Sequence, residues 1–349
     1  MSILTKENLK HFSVFLLIVL VALIIHERRT IHRYLVIYPY IKKIEKEIVP
    51  VAGKIVFQSN RDMPEGPFIY LLQGSKIKRL CDGGHPRFKN SDEILFSSGG
   101  KYFYDLKNNS TLKLPMPPEV VTSPDYDISP DGLQIVFIAK KKEKNPNWIS
   151  GTHRSKEVDV ANLYVINSDG TRLRQITFWG GHNYFSHPQW SPDGQKILFH
   201  ASDNDRPIKI PNQEEPHYPP TLYVIDKDGA NLMNLLAPYN QYGWDGSWSP
   251  DGQKVIFSKS DEKNIRNIWL LDLTNNQAKM LTQGAPNKEF PVFSPDNKQI
   301  LYVAYPRGFY GGGSELFVMD IDGTNAQRVT APHVTKFGWS EIRNPDWAA

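Results

Sequence analysis

Cysteine is almost missing from this chain of 349 residues, and so is any apolar run long enough to cross a bilayer unaided. Cys81 stands alone, so no disulfide can form within the chain and packing must hold the fold. One thiol suits a cytoplasmic protein and a bacterial exported one equally, and assigns neither compartment. Charge of one sign is also scarce over most of the length. Residues 51–349 hold 33 Lys or Arg and 33 Asp or Glu, while residues 1–50 hold eight against four and carry the whole excess of +4. A neutral body argues against nucleic acid, whose binding needs a clustered positive field. The local exception, Lys140, Lys141, Lys142 and Lys144, reads as a solvated loop rather than a polyanion site. No G-x-S-x-G occurs, which excludes the serine nucleophile of the α/β-hydrolases.

What is there in quantity is a repeat. An x-P-x-W-S-like anchor recurs at His85–Lys89, Asp125–Ser129, His187–Ser191, Asp245–Ser249, Phe290–Ser294 and Asn344–Ala348, spaced by 40 to 62 residues. Turns follow, such as SPDG from Ser129, Ser191 and Ser249 and SPDN from Ser294, then apolar strands such as KILFH and KVIFS. Proline presets φ, aspartate bonds nearby amides and glycine or asparagine takes the left-handed position, so two short strands fold back on each other. A third strand follows in each unit, and a fourth after turns such as NSDG, DKDG and DIDG. Four short strands per unit in six units predict an all-β, six-bladed propeller. Lys54–Gln58 matches a second strand with no first, and Asn344–Ala348 a first strand with no second. Pairing the two closes the first blade with the last strand and removes two open sheet edges.

The SPDG strand pair followed by an LYV-x-D-x-DG hairpin resembles the TolB-type six-bladed propellers, a TolB-like, WD40-like repeat family, over about 52–349. TolB proteins place an α/β domain before the propeller and work with lipoprotein partners in the periplasm; here about fifty residues precede the first blade. The resemblance therefore implies the fold and a habit of binding proteins, with the TolB role itself left aside.

Those preceding residues have their own signal. Phe12–Ile25 is uncharged, with Lys6 and Lys10 before it and Arg28, Arg29 and Arg33 after it. As a helix it would rise about 21 Å, short of a ~30 Å hydrocarbon core unless it extends back to Leu9. No small-x-small pair follows, so an uncleaved signal anchor over 1–30, with its apolar segment at 12–25, is expected ahead of a cleaved signal peptide. Residues 31–51 then form a juxtamembrane stalk and 52–349 the propeller. The excess of basic residues after the apolar run favours a cytoplasmic propeller by the positive-inside rule. The short basic start and the resemblance favour export, and the expectation adopted is a periplasmic or extracytoplasmic propeller.

In such a meander the SPDG and DxDG turns share one face, and the long connections gather on the other: 141–161, 203–220, 306–314 and the blade links from Phe178 and Ala237. Recognition concentrates on loops carried by a rigid scaffold. Their aromatics, Trp148, Phe178, Trp179, Tyr184, Tyr218, Tyr239, Tyr242, Trp244, Phe309 and Tyr310, point to a partner surface, against the plainer reading that several pack between blades. The residue three before the bulky residue of each anchor opens the innermost strand near the channel mouth: His85, Asp125, His187, Asp245, Phe290 and Asn344. The five other than Phe290, with His182, Tyr184, Tyr242, Trp244, Arg307 and Tyr310, form the expected binding site. The favoured reading is a membrane-tethered, monomeric, non-catalytic platform for a protein or envelope polymer, without cofactor or nucleic acid. The alternative is a metal-dependent polysaccharide-active enzyme resembling oligogalacturonate lyases. It would use His187, His85, His182 and Arg307 at the mouth, with His187 and His85 as the divalent-metal candidates. Cys81 and the DxDG turns at Asp226 and Asp320 read as structural, since the later ligands of a calcium loop are absent.

Overall fold

The computed structural model describes residues 45, 47–61, 67–116, 121–144, 157–179, 184–202, 220–237, 242–305, 313–331, 333–335 and 338–349. The segment expected to form an anchor helix, Phe12–Ile25, lies outside them, as does most of the stalk. From Val49 onward the chain is one compact unit.

Six four-stranded antiparallel sheets make that unit. Blade 1 takes Ile342–Ala348, Val51–Ser59, Phe68–Gly74 and Lys76–Asp82 from the two ends of the propeller. Ile55 pairs with Trp347 and Lys54 with Ala348, which is the closure the orphan strands predict. Blades 2 to 6 each start on an anchor strand: Gly84–Asn90, Val121–Ile128, Tyr184–Trp190, Trp244–Trp248 and Lys288–Phe293. Each first strand touches the first strands of both neighbouring blades, so these six line the central channel. The fourth strands are short, only two residues at Arg174–Gln175, Met233–Asn234 and Gln327–Arg328. An additional two-stranded pair, Val334–Thr335 with Gly338–Trp339, precedes the closing strand and was not expected.

The core is divided like the sequence. Six apolar clusters lie one between each pair of neighbouring blades, built from the buried faces of the alternating strands. Trp190, Trp248 and Trp347 belong to three of them, the inter-blade packing expected of the anchors.

The turns show why these residues recur. Ser191 Oγ donates to Asp193 Oδ1 at 2.5 Å and accepts from Lys196 N at 2.9 Å, while Asp193 Oδ1 also accepts from Gln195 N at 3.0 Å. Ser129, Ser249 and Ser294 repeat the pattern. The serine of W-S is thus part of the turn, a role that the proline, aspartate and glycine alone do not reveal. The DxDG glycines serve a second purpose. Gly229 has φ +93, and a Cβ there would lie 2.7 Å from Ile176 O of the preceding blade; Gly323 and Gly170 abut Leu281 O and Pro115 O in the same way. Gly229→Ala therefore meets both a left-handed backbone and a neighbouring carbonyl, and is expected to cost about 2 kcal/mol in urea unfolding. A cost near zero would mean that the blades do not meet there.

The lysine run corrects the loop reading. Gln134–Lys144 and Glu157–Asn167 form an eleven-residue hairpin in which Lys142 pairs with Asp159 and Lys144 with Glu157. Successive side chains point to opposite faces, and Lys140, Lys141 and Lys142 are all exposed, so both faces of the strand are solvated there.

Candidate functional site

The residue three before the bulky residue of each anchor sits at a fault in its sheet. Register between first and second strands shifts there in every blade, for example between Ser186 and Gln189 and between Glu289 and Val292. His85, His187, Asp245, Phe290 and Asn344 have φ between 47° and 54°. A β-bulge re-aims a side chain, and a left-handed backbone is costly for a residue as bulky as phenylalanine. The next residue is proline or glycine in all five, a signal present in the sequence: HP, HP, DG, FP and NP.

The bulges bring these side chains together. His85 Nδ1 lies 3.0 Å from Asp125 Oδ1 and 3.3 Å from Asn344 Nδ2. His187 Nε2 lies 3.4 Å from Asn344 Oδ1 and 4.0 Å from Asp245 Oδ1, with the Phe290 ring 5.8 Å away. Asn344 is on blade 1 and His187 on blade 4, so their contact spans the channel and closes it. Beneath lies a cavity of about 20 Å³ lined by Arg87, His187, Gln189, Asp245, Ser247 and Asn344 among others, room for water but not for a larger ligand.

Tautomers follow from the partners. Asn344 Nδ2 donates to Gln58 Oε1 at 3.4 Å, which leaves the His85 Nδ1 proton for Asp125. Asn344 Oδ1 then accepts from His187 Nε2–H, and among the described residues His187 Nδ1 is buried without a hydrogen-bond partner. Burial pushes the His85 pKa down despite Asp125. For Asp125, burial works to raise the pKa, but His187 and His85 outweigh it and hold the carboxyl well below its ordinary range. Since His85 is kept neutral, its help to Asp125 is a hydrogen bond more than an ion pair.

Around the mouth stand residues that sequence reasoning did not single out. The fifth residue of the KILFH-type strand faces it in three blades: Gln58 Oε1 accepts from His85 N, Ser258 Oγ donates to Asp245 Oδ2, and His200 bonds Ser186. One residue before the bulky residue of the anchor, a second set of side chains links blade to blade. Asp127 Oδ2 accepts from Trp190 N at 2.8 Å, Gln189 Oε1 from Trp248 N at 2.8 Å and Asp346 Oδ2 from Phe88 N at 2.7 Å. Burial pushes the Asp127 carboxyl up to about 7, with Arg87 opposing and Asp346 reinforcing the shift.

The expected aromatic face divides. Tyr184 is 53% exposed and Phe178 78%. Tyr242 and Trp244 stand with ring centroids 5.4 Å apart beside the mouth. Trp179, by contrast, packs on Phe185, Phe199 and Tyr223 between blades, because its turn carries it inward. His182, Arg307, Tyr310, Trp148, Tyr218, Tyr239 and Phe309 lie outside the described residues. Among the described residues no group of three or more His, Cys, Asp or Glu side chains is arranged to hold a metal ion. His187 spends Nε2 on Asn344 and His85 spends Nδ1 on Asp125. Cys81 is half-buried, and burial pushes its thiol up to about 12, so it is not a nucleophile at neutral pH.

Fold and site together define a closed six-bladed β-propeller with a polar, occluded channel mouth. Residues 145–343 match the family described as PD40, TolB beta propeller domain, and the chain belongs to it. Among curated proteins it is 43% identical over 75 residues to a protein TolB homolog of Protochlamydia amoebophila, covering 20% of this chain and 16% of that one. It is 23% identical over 304 residues to an uncharacterized protein of Agrobacterium fabrum, covering 84% and 81%. Among solved structures, TolB from Acinetobacter baumannii superposes with a TM-score of 0.60 at 17% identity, covering 86% of this chain and 68% of that one. An oligogalacturonate lyase in complex with manganese does so at 0.52 and 15%, covering 81% and 75%. At these identities the structural likenesses speak for the fold alone.

Proposed function

We propose that this propeller is a non-catalytic binding platform whose long-loop face engages a protein or a cell-envelope polymer. In the same reading the chain is held at a membrane by a signal anchor over 1–30 and a stalk over 31–51. The propeller, from 52, lies on the extracytoplasmic side as a monomer. The observation that carries the platform is an aromatic rim, Tyr184 exposed with Tyr242 and Trp244 half-buried, beside a channel mouth bridged by His187 and Asn344. A closed polar floor beside aromatics suits surface recognition, in which aromatic anchors carry much of the binding energy. The enzyme reading would need His85 and His187 to converge on one ion, whereas His85 Nδ1 faces Asp125 and His187 Nε2 faces Asn344. The chain enters the propeller at Val51, at the short-turn end of blade 1.

A photo-crosslinking residue placed at Tyr184 is expected to capture a specific envelope component in cells. The same probe at Leu133, 65% exposed in a short turn on the opposite face, is expected to capture none. Equal labelling from both positions, or from neither, would remove the support for a one-sided platform.

A further inference from the structure

His187 stands between two acceptors at the channel mouth. One is Asn344 Oδ1 of blade 1, which takes its Nε2–H across the axis at 3.4 Å, long for a hydrogen bond of this kind. The other is Asp245 Oδ1 of the adjacent blade 5, 4.0 Å from the same nitrogen. Asp245 is held by its second oxygen, which accepts from Ser258 Oγ at 2.9 Å and from Phe290 N at 3.5 Å, so Oδ1 is the oxygen left facing His187. The His187 backbone is set at φ 47° and followed by Pro188, which leaves the side chain as the part free to move.

We propose that His187 is a proton-operated latch on the channel. Neutral, it ties blade 4 to blade 1 through Asn344; protonated at Nδ1, it turns its Nε2–H to the Asp245 carboxylate and releases Asn344. A hydrogen bond between two charged groups is roughly twice as strong as a neutral one and settles near 2.8 Å, so a shift of roughly 1 Å completes the exchange. The place for the proton is open: Nδ1 is buried without a hydrogen-bond partner among the described residues, and His187 lines the small cavity, where a water can accept the new N–H. Of the charged groups around the imidazole, Asp245 attracts the proton, as does Asp125, which stays ionised despite its burial because His187 and His85 hold its pKa down. Arg87, which lines the same cavity, opposes it. Burial keeps His85 and His200 neutral, and Arg266 is matched by Glu289. Release of Asn344 opens the mouth above Arg87, whose Nε is also buried and unpartnered among the described residues.

The test is a nuclear magnetic resonance titration of the full chain, labelled with heavy nitrogen at histidine and asparagine, from about pH 8 to about pH 5, where histidine side chains ordinarily change charge. Ring nitrogens report protonation, and the Asn344 side-chain amide reports the bridge. In the parent the His187 and Asn344 signals are expected to move together. Asp245→Asn offers the imidazolium no carboxylate, and is expected to keep the His187 transition while the Asn344 signal stays still. His187→Gln can donate to Asn344 but cannot titrate, so the Asn344 response is expected to vanish. Amide dispersion and thermal unfolding at pH 8 check that each variant is folded. The parent alone can sink the latch, through a His187 that does not titrate in this interval or an Asn344 amide that stays still while it does. An Asn344 response that survives in folded Asp245→Asn would reveal a passing electric field rather than a release, and one that survives in His187→Gln would belong to His85; either overturns the proposal.

Discussion

Trp347→Ala is expected to destabilise the protein by about 3–5 kcal/mol, a large share of what a single domain possesses. The indole is 8% exposed and packs in the cluster shared by blades 1 and 6, and its Nε1 donates to Ala52 O at 2.8 Å. It is one of the few residues joining the last strand to the second strand of blade 1, through the Ile55 pairing. Neighbouring Asp346 adds the bond to Phe88 N that ties blade 1 to blade 2. Trp190→Ala, at the equivalent anchor of blade 4, is the control. Trp190 Nε1 has no hydrogen-bond partner, so that variant loses packing but no indole bond and leaves ring closure intact. Urea unfolding followed by far-ultraviolet circular dichroism should place Trp347→Ala below Trp190→Ala. Truncation before Ile342 should go further, since it exposes the whole edge of Val51–Ser59. An unchanged midpoint for both Trp347→Ala and the truncation would show that the ring does not depend on its terminal strand.

That closure was legible in the sequence because each blade is specified locally: strand alternation, a turn with fixed residues, and an orphan half-blade at either end. The channel mouth was legible for a related reason. A repeat shows which position faces the axis, and His85, Asp125, His187, Asp245 and Asn344 do converge there. What escaped was whatever depends on contacts between blades. Nothing local marks Asp127 as the acceptor for Trp190 N, 63 residues away, or His200 as a buried imidazole beside Trp244. Trp179 was counted among the surface aromatics because a loop residue's inward turn is decided by its neighbours in space, here Phe185 and Phe199. The lysine run reads as a loop because like charges hide a strand pattern that only the pairing with Glu157–Asn167 reveals.

Asp127→Asn is expected to change how stability depends on pH. The Asp127 carboxyl is fully enclosed, and burial raises its pKa from 3.8 to about 7 against the pull of Arg87 and with the push of Asp346. The protonated form is therefore favoured by the fold more than by the unfolded chain. Between about pH 4 and pH 7 the unfolded state has released this proton and the folded state still holds it, so stability falls as pH rises and levels off above 7. The ceiling for such a shift is roughly 4 kcal/mol, and 2–4 kcal/mol is expected once relaxation around Arg87 is included. Asparagine retains a carbonyl oxygen to accept from Trp190 N and cannot ionise. Asp127→Asn should consequently match or fall slightly below the parent near pH 4.5 and exceed it at pH 8, with a flatter melting temperature across that interval. Asp346 is the matched test, because its bond to Phe88 N comes from a half-buried side chain nearer to solvent. Asp346→Asn should lower stability by about 1 kcal/mol near pH 4.5, the usual worth of a hydrogen bond to a weakened acceptor, and by less at pH 8, where it removes a charge that opposes ionised Asp127. Parallel melting curves for Asp127→Asn and the parent from pH 4 to 9 would show that the blade 3 to blade 4 clasp holds no titrating proton.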